Sequence, residues 1–407
     1  MIRKVHKPKA MSGYLSTLTL SHFRSYDRVR LDNLGSGLIV LHGPNGAGKT
    51  NVLEAVSLLA PGRGMRGAKN EDIQKSGVQD GWGVSGVAQQ EFGEVRLGTG
   101  LDMASGKRAI RIDGQTVRGQ NALADYMACV WLTPQMDRLF LDSTSQRRKF
   151  FDRLVYAFDP AHAGRVTRYE NALGQRSRIL RESAEKQVTP DDSWLSSLES
   201  QMAASACAIA AARQSFIKRL QAVCSESSDG SKGESLRART YANPFPSARL
   251  QLRGTLEELL GHTAALDVED MFKAQLRRSR PRDAIVGGAQ TGPHKTDLLV
   301  SYAAKNMPAE QCSTGEQKAL LIGIILAHAK LIAAERGAPP ILLLDEVAAH
   351  LDEDRRAALY DLLQQLGGQV WLTGTDENLF TAIADKAQFF TVNEGKLQVK
   401  AQSCVTA

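Results

Sequence analysis

The segment Gly43-Pro44-Asn45-Gly46-Ala47-Gly48-Lys49-Thr50 constrains this chain more than any other. It fits G-x-x-x-x-G-K-[ST], a loop that wraps phosphate. Its glycines let the backbone curl until successive N–H groups converge on phosphate oxygens. Lys49 places a cation on the outer phosphates, and Thr50 offers a hydroxyl to Mg²⁺. The flanks supply the context such a loop needs. Leu38–Leu41 is a short apolar run that reads as a buried strand. Asn51–Leu59 is helical in propensity and stops at Pro61-Gly62. Strand, glycine loop and helix in that order predict an α/β fold that binds a nucleotide polyphosphate with Mg²⁺.

The last third of the chain carries matching chemistry. Ile341–Leu344 is a continuous apolar run ending in Asp345 and Glu346. A buried parallel strand delivers such residues at its C-terminal edge, where doubly wound sheets bind ligands. Asp345 suits a Mg²⁺ carboxylate, and Glu346 suits a general base that orients water. Taken alone, the pair is also a common acidic helix start; the phosphate loop selects the functional reading. Ser313-Thr314-Gly315-Glu316 opens a helix and offers a hydroxyl and free N–H groups to an anion. His350-Leu351-Asp352 opens the next helix, and Gln135 follows the strand Val130–Leu132.

A length of 407 residues predicts two domains or one with a large insertion. Residues 1–10 are basic and patternless, and read as a disordered lead. From Gly81 to Val117 short alternating segments and Gly-rich turns predict an antiparallel meander. Arginine-rich stretches, with Arg147, Arg148, Arg176 and Arg178 on one side and Arg277 and Arg278 on the other, bracket a helical insert. Such arginines are either a solvated face or a phosphate-contacting surface. The division expected is an N-terminal head part at 11–145, a helical arm at 146–283 and a C-terminal head part at 284–407. Lys and Arg exceed Asp and Glu by 7, compatible with nucleic-acid binding. The five cysteines lack metal or disulfide spacing, and no run reads as a membrane span or secretory signal. A reduced, cytoplasmic protein without a membrane partner is expected.

In combination, Gly43–Thr50, Ser313–Gln317, Leu342–Glu346 and His350–Asp352 resemble the Walker A, signature, Walker B and D-loop set of ABC-type ATPases. Leu20–Tyr26, Gln146–Asp152, Gln175-Arg176 and Thr291-Gly292-Pro293-His294 narrow the resemblance to the RecF family of bacterial replication and repair proteins. That resemblance implies an ABC/SMC-like ATPase head, a mixed sheet with an antiparallel β subdomain, and a short inserted α-helical arm. It implies weak ATP hydrolysis and an ATP-dependent homodimer in which Ser313, Gly315 and Glu316 of one copy cap the nucleotide held by Lys49 of the other. It implies binding to double-stranded, single-stranded or gapped DNA, and loading of RecA with RecO and RecR. Mapped by position, Arg24, Ser25 and Asp352 become nucleotide contacts, and Gln135 joins Lys49 and Glu346 in the catalytic set.

Three positions depart from the family pattern. Lys295-Thr296-Asp297 stands where Arg-Asp-Asp is usual, and Gln135 stands where an acidic residue is common. The strand Val370–Thr373 is followed by no histidine of the transporter type, so Thr373 or Thr375 would take that place. The rival readings are a transporter's nucleotide-binding subunit, a DNA-binding scaffold with a vestigial loop, and a nuclease-associated head, whose long coiled coil has no room here.

Overall fold

The computed structural model describes residues 13–91, 93–229 and 245–399. The basic lead at 1–10 lies outside them; the Ser/Gly/charged segment 225–235 reads as a linker, but its first residues, to Asp229, are helical and the rest lies outside the described residues. Contacts divide the chain into two units. The first takes residues up to Asp137 and from Leu321 onward; the second takes Arg138–Lys232 and Pro246–Leu320.

The first unit opens with β1 (Tyr14–Phe23) and β2 (Tyr26–Leu31), then β3 (Leu38–His42), α1 (Lys49–Leu58) and the single turn α2 (Asn70–Ile73). β4 (Gly83–Gln90), β5 (Gly93–Asp102), β6 (Lys107–Ile112) and β7 (Gln115–Val117) form the expected meander, and β8 (Cys129–Leu132) follows. Every pairing in the sheet β2-β1-β4-β5-β6-β7 is antiparallel. Alternating Leu15, Leu18, Leu20, Val84, Leu97 and Ile110 turn one face of it into the core.

The second unit is mainly helical: α3 (Thr144–Tyr156), α4 (His162–Glu185) and α5 (Asp192–Asp229), then β9 (Ala248–Arg253), α6 (Thr255–Leu259) and α7 (Ala265–Val286). β10 (Asp297–Tyr302) and β11 (Met307–Pro308) complete it. The sequence boundary expected at 283/284 falls instead at 320/321, because β10 pairs antiparallel with β9 along its whole length. The alternation Ala248-Arg249-Leu250-Gln251-Leu252-Arg253 carries that strand and was absent from the sequence expectations. The basic run at 277–282 does not close the helical region; α7 passes through it and through Pro281.

α8 (Thr314–Arg336) leads back to the first unit. It is long and apolar enough to cross a membrane, yet most of it is buried within the protein, which is the property of a core helix. β12 (Ile341–Leu344), α9 (Glu353–Leu366), β13 (Val370–Gly374), β14 (Ala387–Asn393) and β15 (Lys396–Val399) follow. The second sheet of the first unit runs β15-β14-β3-β13-β12-β8, parallel throughout except for the β14–β15 hairpin. Its central strands are buried on both faces, which is why they read as unbroken apolar runs.

One side chain locks the two sheets of this unit together. Gln369 is 1% exposed. Its amide donates to the carbonyls of Leu15 (2.9 Å) and Gly35 (2.7 Å), and its oxygen accepts from the Leu15 N–H (3.1 Å) and the Trp371 indole (3.2 Å). A buried amide satisfied on all four sides specifies one docking of β1 on the parallel sheet.

The arginines of the second unit correct the sequence reading. Arg176 is 0% exposed, so it is no DNA contact. Its guanidinium donates to Glu199 on α5 (3.0 Å), to Asp283 on α7 (2.8 Å) and to the Leu276 carbonyl (2.6 Å). Arg147 makes a two-pronged pair with Asp297, both bonds 2.8 Å, and Arg148 donates to the Thr296 carbonyl at 2.9 Å. Arg178, Arg277 and Arg278 remain exposed.

The Thr291–Asp297 turn is held by a second buried network. Arg213 grips Asp152 with two 2.8 Å bonds and donates to the Pro293 carbonyl at 2.8 Å. Burial pushes the Asp152 carboxyl up, but Arg213 and His162 outweigh it and hold the group at about 2. His294 donates through Nε2 to the Ala289 carbonyl (2.9 Å) and accepts at Nδ1 from the Tyr169 hydroxyl (2.7 Å). Burial, followed by Lys295, Arg148 and Arg213, depresses its pKa to about 4. Between that value and the ordinary one near 6.5 the unfolded chain binds the extra proton, so stability falls as pH drops. Moving from pH 7.5 to pH 5 is expected to remove about 2 kcal/mol through this group. Asp152 contributes nothing in that window, since its stabilisation fades only below the ordinary carboxylate range. Urea midpoints at the two pH values, for wild type and His294→Gln, check this: the variant's midpoint is expected to vary less with pH.

Candidate nucleotide-binding site

Gly43–Thr50 leaves the C-terminal end of β3 and enters α1. The curl is enforced by glycine at two positions. A Cβ on Gly43, whose φ is +151°, would stand 2.1 Å from the Val392 carbonyl oxygen. One on Gly48, at φ +113°, would stand 2.8 Å from the Tyr26 hydroxyl and 2.9 Å from Ser25 Oγ. Pro44, Asn45 and Gly46 form the exposed crest, while Ala47, Gly48 and Lys49 are buried beneath it.

The Lys49 ammonium donates to the carbonyls of Gly43 (2.7 Å) and Pro44 (2.9 Å). Burial lowers its pKa, and Glu346 and Asp345 oppose that effect. The Thr50 hydroxyl donates to Asp345 at 3.0 Å, so the loop and the end of β12 meet although 295 residues separate them. Burial raises the Asp345 pKa against hydrogen bonds from Thr373 and Thr50. Glu346, next in the chain, holds a left-handed backbone at φ 53° and ψ 23°. A buried ammonium, a hydroxyl and a desolvated carboxylate at the mouth of a glycine loop are the donor set that a metal-bound nucleotide polyphosphate needs.

The other expected residues fall in different settings. Ser25 Oγ accepts from the Asn51 side chain at 2.9 Å, beside the loop. Arg24 is fully engaged elsewhere: Nε and Nη2 bind Glu54 on α1 (2.9 and 2.7 Å), and Nη1 binds the Asp72 carbonyl. Gln135 is exposed just after β8, whose last residue pairs with the last residue of β12. Asp352 caps α9 by accepting from the Arg355 N–H at 2.8 Å. In the second unit, the Ser313 hydroxyl and N–H both donate to the Glu316 carboxylate at 3.0 Å. The Glu316 N–H returns to Ser313 Oγ at 3.4 Å, closing a capping box at the start of α8. Lys305, then Ser313, holds the Glu316 carboxyl at about 2.

Arg66 was missed. It donates to Glu54 and to Asn51 of α1, each at 2.9 Å, and its charge lowers the pKa of Asp345. Glu54, with its side chain almost wholly buried, therefore anchors two arginines beside the phosphate loop. The only sequence signal was the glycine-flanked pair in Gly62-Arg63-Gly64-Met65-Arg66-Gly67, just after the loop helix.

Two facing motif ends on one parallel sheet, an antiparallel sheet docked on it and a helical insertion between them define an ATPase head of the SMC type. The model of the RecF/RecN/SMC N-terminal domain matches residues 14–398. The chain is 45% identical over 392 residues to the DNA replication and repair protein RecF of Allorhizobium ampelinum, covering 96% of this chain and 100% of that one. It is 46% identical over 382 residues to RecF of Brucella suis biovar 1, covering 93% and 94% of the two chains. It belongs to the RecF family of DNA replication and repair proteins. Among solved structures, the recombination mediator RecF with an ATP analogue superposes with a TM-score of 0.82 at 20% identity, covering 97% of this chain and 100% of that one. The Smc head of Pyrococcus furiosus gives 0.52 at 18% identity, covering 95% and 96%. At these identities the two structures speak for the fold.

Proposed function

We propose that this chain is an ATP-dependent DNA clamp that acts as a recombination mediator in the cytoplasm. It dimerises with ATP on gapped or junction DNA and promotes RecA loading with RecO and RecR. The observation that carries the proposal is the contact of Thr50 with Asp345 beside the buried Lys49. The loop N–H groups and Lys49 would hold the phosphates, Thr50 and Asp345 would hold Mg²⁺, and Glu346 would orient or deprotonate the attacking water. Bound ATP·Mg²⁺ supplies a γ-phosphoryl group and the charge to which both faces respond. Ser313 and Gly315 of a second copy complete the cage, so the dimer lasts as long as that charge does. Exposed Arg178, Arg277 and Arg278 are the proposed DNA contacts within the arm.

Glu346→Gln separates binding from turnover, because the amide keeps the shape and loses the base. The variant is expected to bind ATP like wild type, to hydrolyse it at least about 100-fold more slowly and to remain dimeric. Light-scattering mass with ATP and Mg²⁺, with and without gapped DNA, is the measurement. A variant that stays monomeric with ATP contradicts the clamp.

A further inference from the structure

Thr373 occupies the fourth position of β13, between the strand that carries the phosphate loop and the strand that carries Asp345. It is 1% exposed. Its hydroxyl donates to Asp345 Oδ1 at 2.7 Å and accepts from the Glu346 N–H at 2.9 Å. The resemblance to transporter ATPases leaves Thr373 or Thr375 to stand where a histidine is usual. The geometry gives Thr373 a different task, since its single proton is committed to Asp345 and it faces two protein groups. Thr375 is exposed, one residue beyond β13.

We propose that Thr373 is a positioning residue that fixes the metal-side carboxylate and the water-side carboxylate with one hydroxyl. Among the described residues, Asp345 has two hydroxyl donors, Thr50 and Thr373. With Mg²⁺ bound, Thr50 would give its oxygen to the metal, leaving the Thr373 hydroxyl as the one of the two that keeps Asp345 in its rotamer. The same oxygen receives the N–H of a residue in the left-handed region, where a non-glycine backbone needs a fixed partner. A shift of the Asp345 carboxylate is thereby transmitted to Glu346 through a buried strand that cannot relax toward water. This inference rests on the ATP·Mg²⁺ reading of the site.

Thr373→Val keeps the β-branched shape and deletes the hydroxyl; Thr373→Ser keeps the hydroxyl and deletes the methyl. Binding of a fluorescent ATP analogue is titrated with Mg²⁺ and repeated in EDTA. The Val variant is expected to need about 10-fold more Mg²⁺ for half-maximal effect, with metal-free nucleotide affinity unchanged. Phosphate release at saturating ATP and Mg²⁺ is expected to fall about 10- to 100-fold, because Glu346 also loses its anchor. The Ser variant is expected to match wild type in both readouts. A Val variant with the wild-type Mg²⁺ midpoint overturns the inference. So does a Ser variant displaced from wild type, which identifies packing as the role of Thr373 and remains informative should the Val variant not fold. Wild-type binding that ignores Mg²⁺ overturns the ATP·Mg²⁺ reading itself, a result distinct from either.

Discussion

Lys49→Ala is expected to weaken ATP binding by about two orders of magnitude or more and to abolish ATP-dependent dimerisation. The side chain is 4% exposed, and its ammonium sits within the loop on the carbonyls of Gly43 and Pro44. A hydrogen bond from a charged donor contributes about 1.5–3 kcal/mol. Two such bonds redirected to phosphate oxygens amount to about 3–6 kcal/mol, at least about a hundredfold in Kd. Alanine is the best helix former, so α1 keeps its start and the loss is one of charge. Calorimetric titration with ATP and Mg²⁺ reads the affinity, and light scattering reads the dimer. A Kd within threefold of wild type would show that the loop amides alone hold the phosphates.

Arg176→Met is expected to destabilise the second unit by about 3–5 kcal/mol, the usual cost of breaking a buried ion pair from one side. Methionine fills much of the volume but, among the described residues, leaves Asp283 with only the Ser279 hydroxyl and Glu199 with only Arg280 as hydrogen-bonding partners. One oxygen of Asp283 already has no partner among the described residues, so the site has little reserve with which to absorb the lost cation. A thermal melt measures the loss. DNA affinity per folded molecule is expected to remain at the wild-type value, because Arg176 is out of reach of any phosphate. A selective drop in DNA binding at unchanged melting temperature would return Arg176 to the DNA-contact set.

Arg176 also shows where reading the chain alone stops. A basic residue on a helix has the same letter whether it meets water, phosphate or a buried glutamate 23 residues away. The motif ends were legible for the opposite reason. Gly43–Thr50 and Ile341–Glu346 announce themselves because backbone curl and double-sided burial restrict which residues can stand there. The meander from β4 to β7 was legible from alternation and turn residues. What escaped was long-range: the four bonds of Gln369, the sharing of Glu54 between Arg24 and Arg66, and the pairing of β9 with β10. Each depends on partners that no local pattern names. The hydroxyl of Thr373 belongs to the same group, since a threonine in a buried strand is ordinary until its neighbours are known.

The strand order also sets a clock. β3 carries the phosphate loop, yet its two hydrogen-bonded neighbours, β13 and β14, follow it by about 330 and 350 residues. At translation speeds of about 5–20 residues per second, Leu38–His42 waits roughly 15–65 s with both edges open. The first amide pairing of β1 with Gln369 waits as long. A chain that ends before β13 therefore carries the loop's residues without the β13 and β14 neighbours that frame β3. Nucleotide capture is expected only of a chain long enough to include β13 and β14.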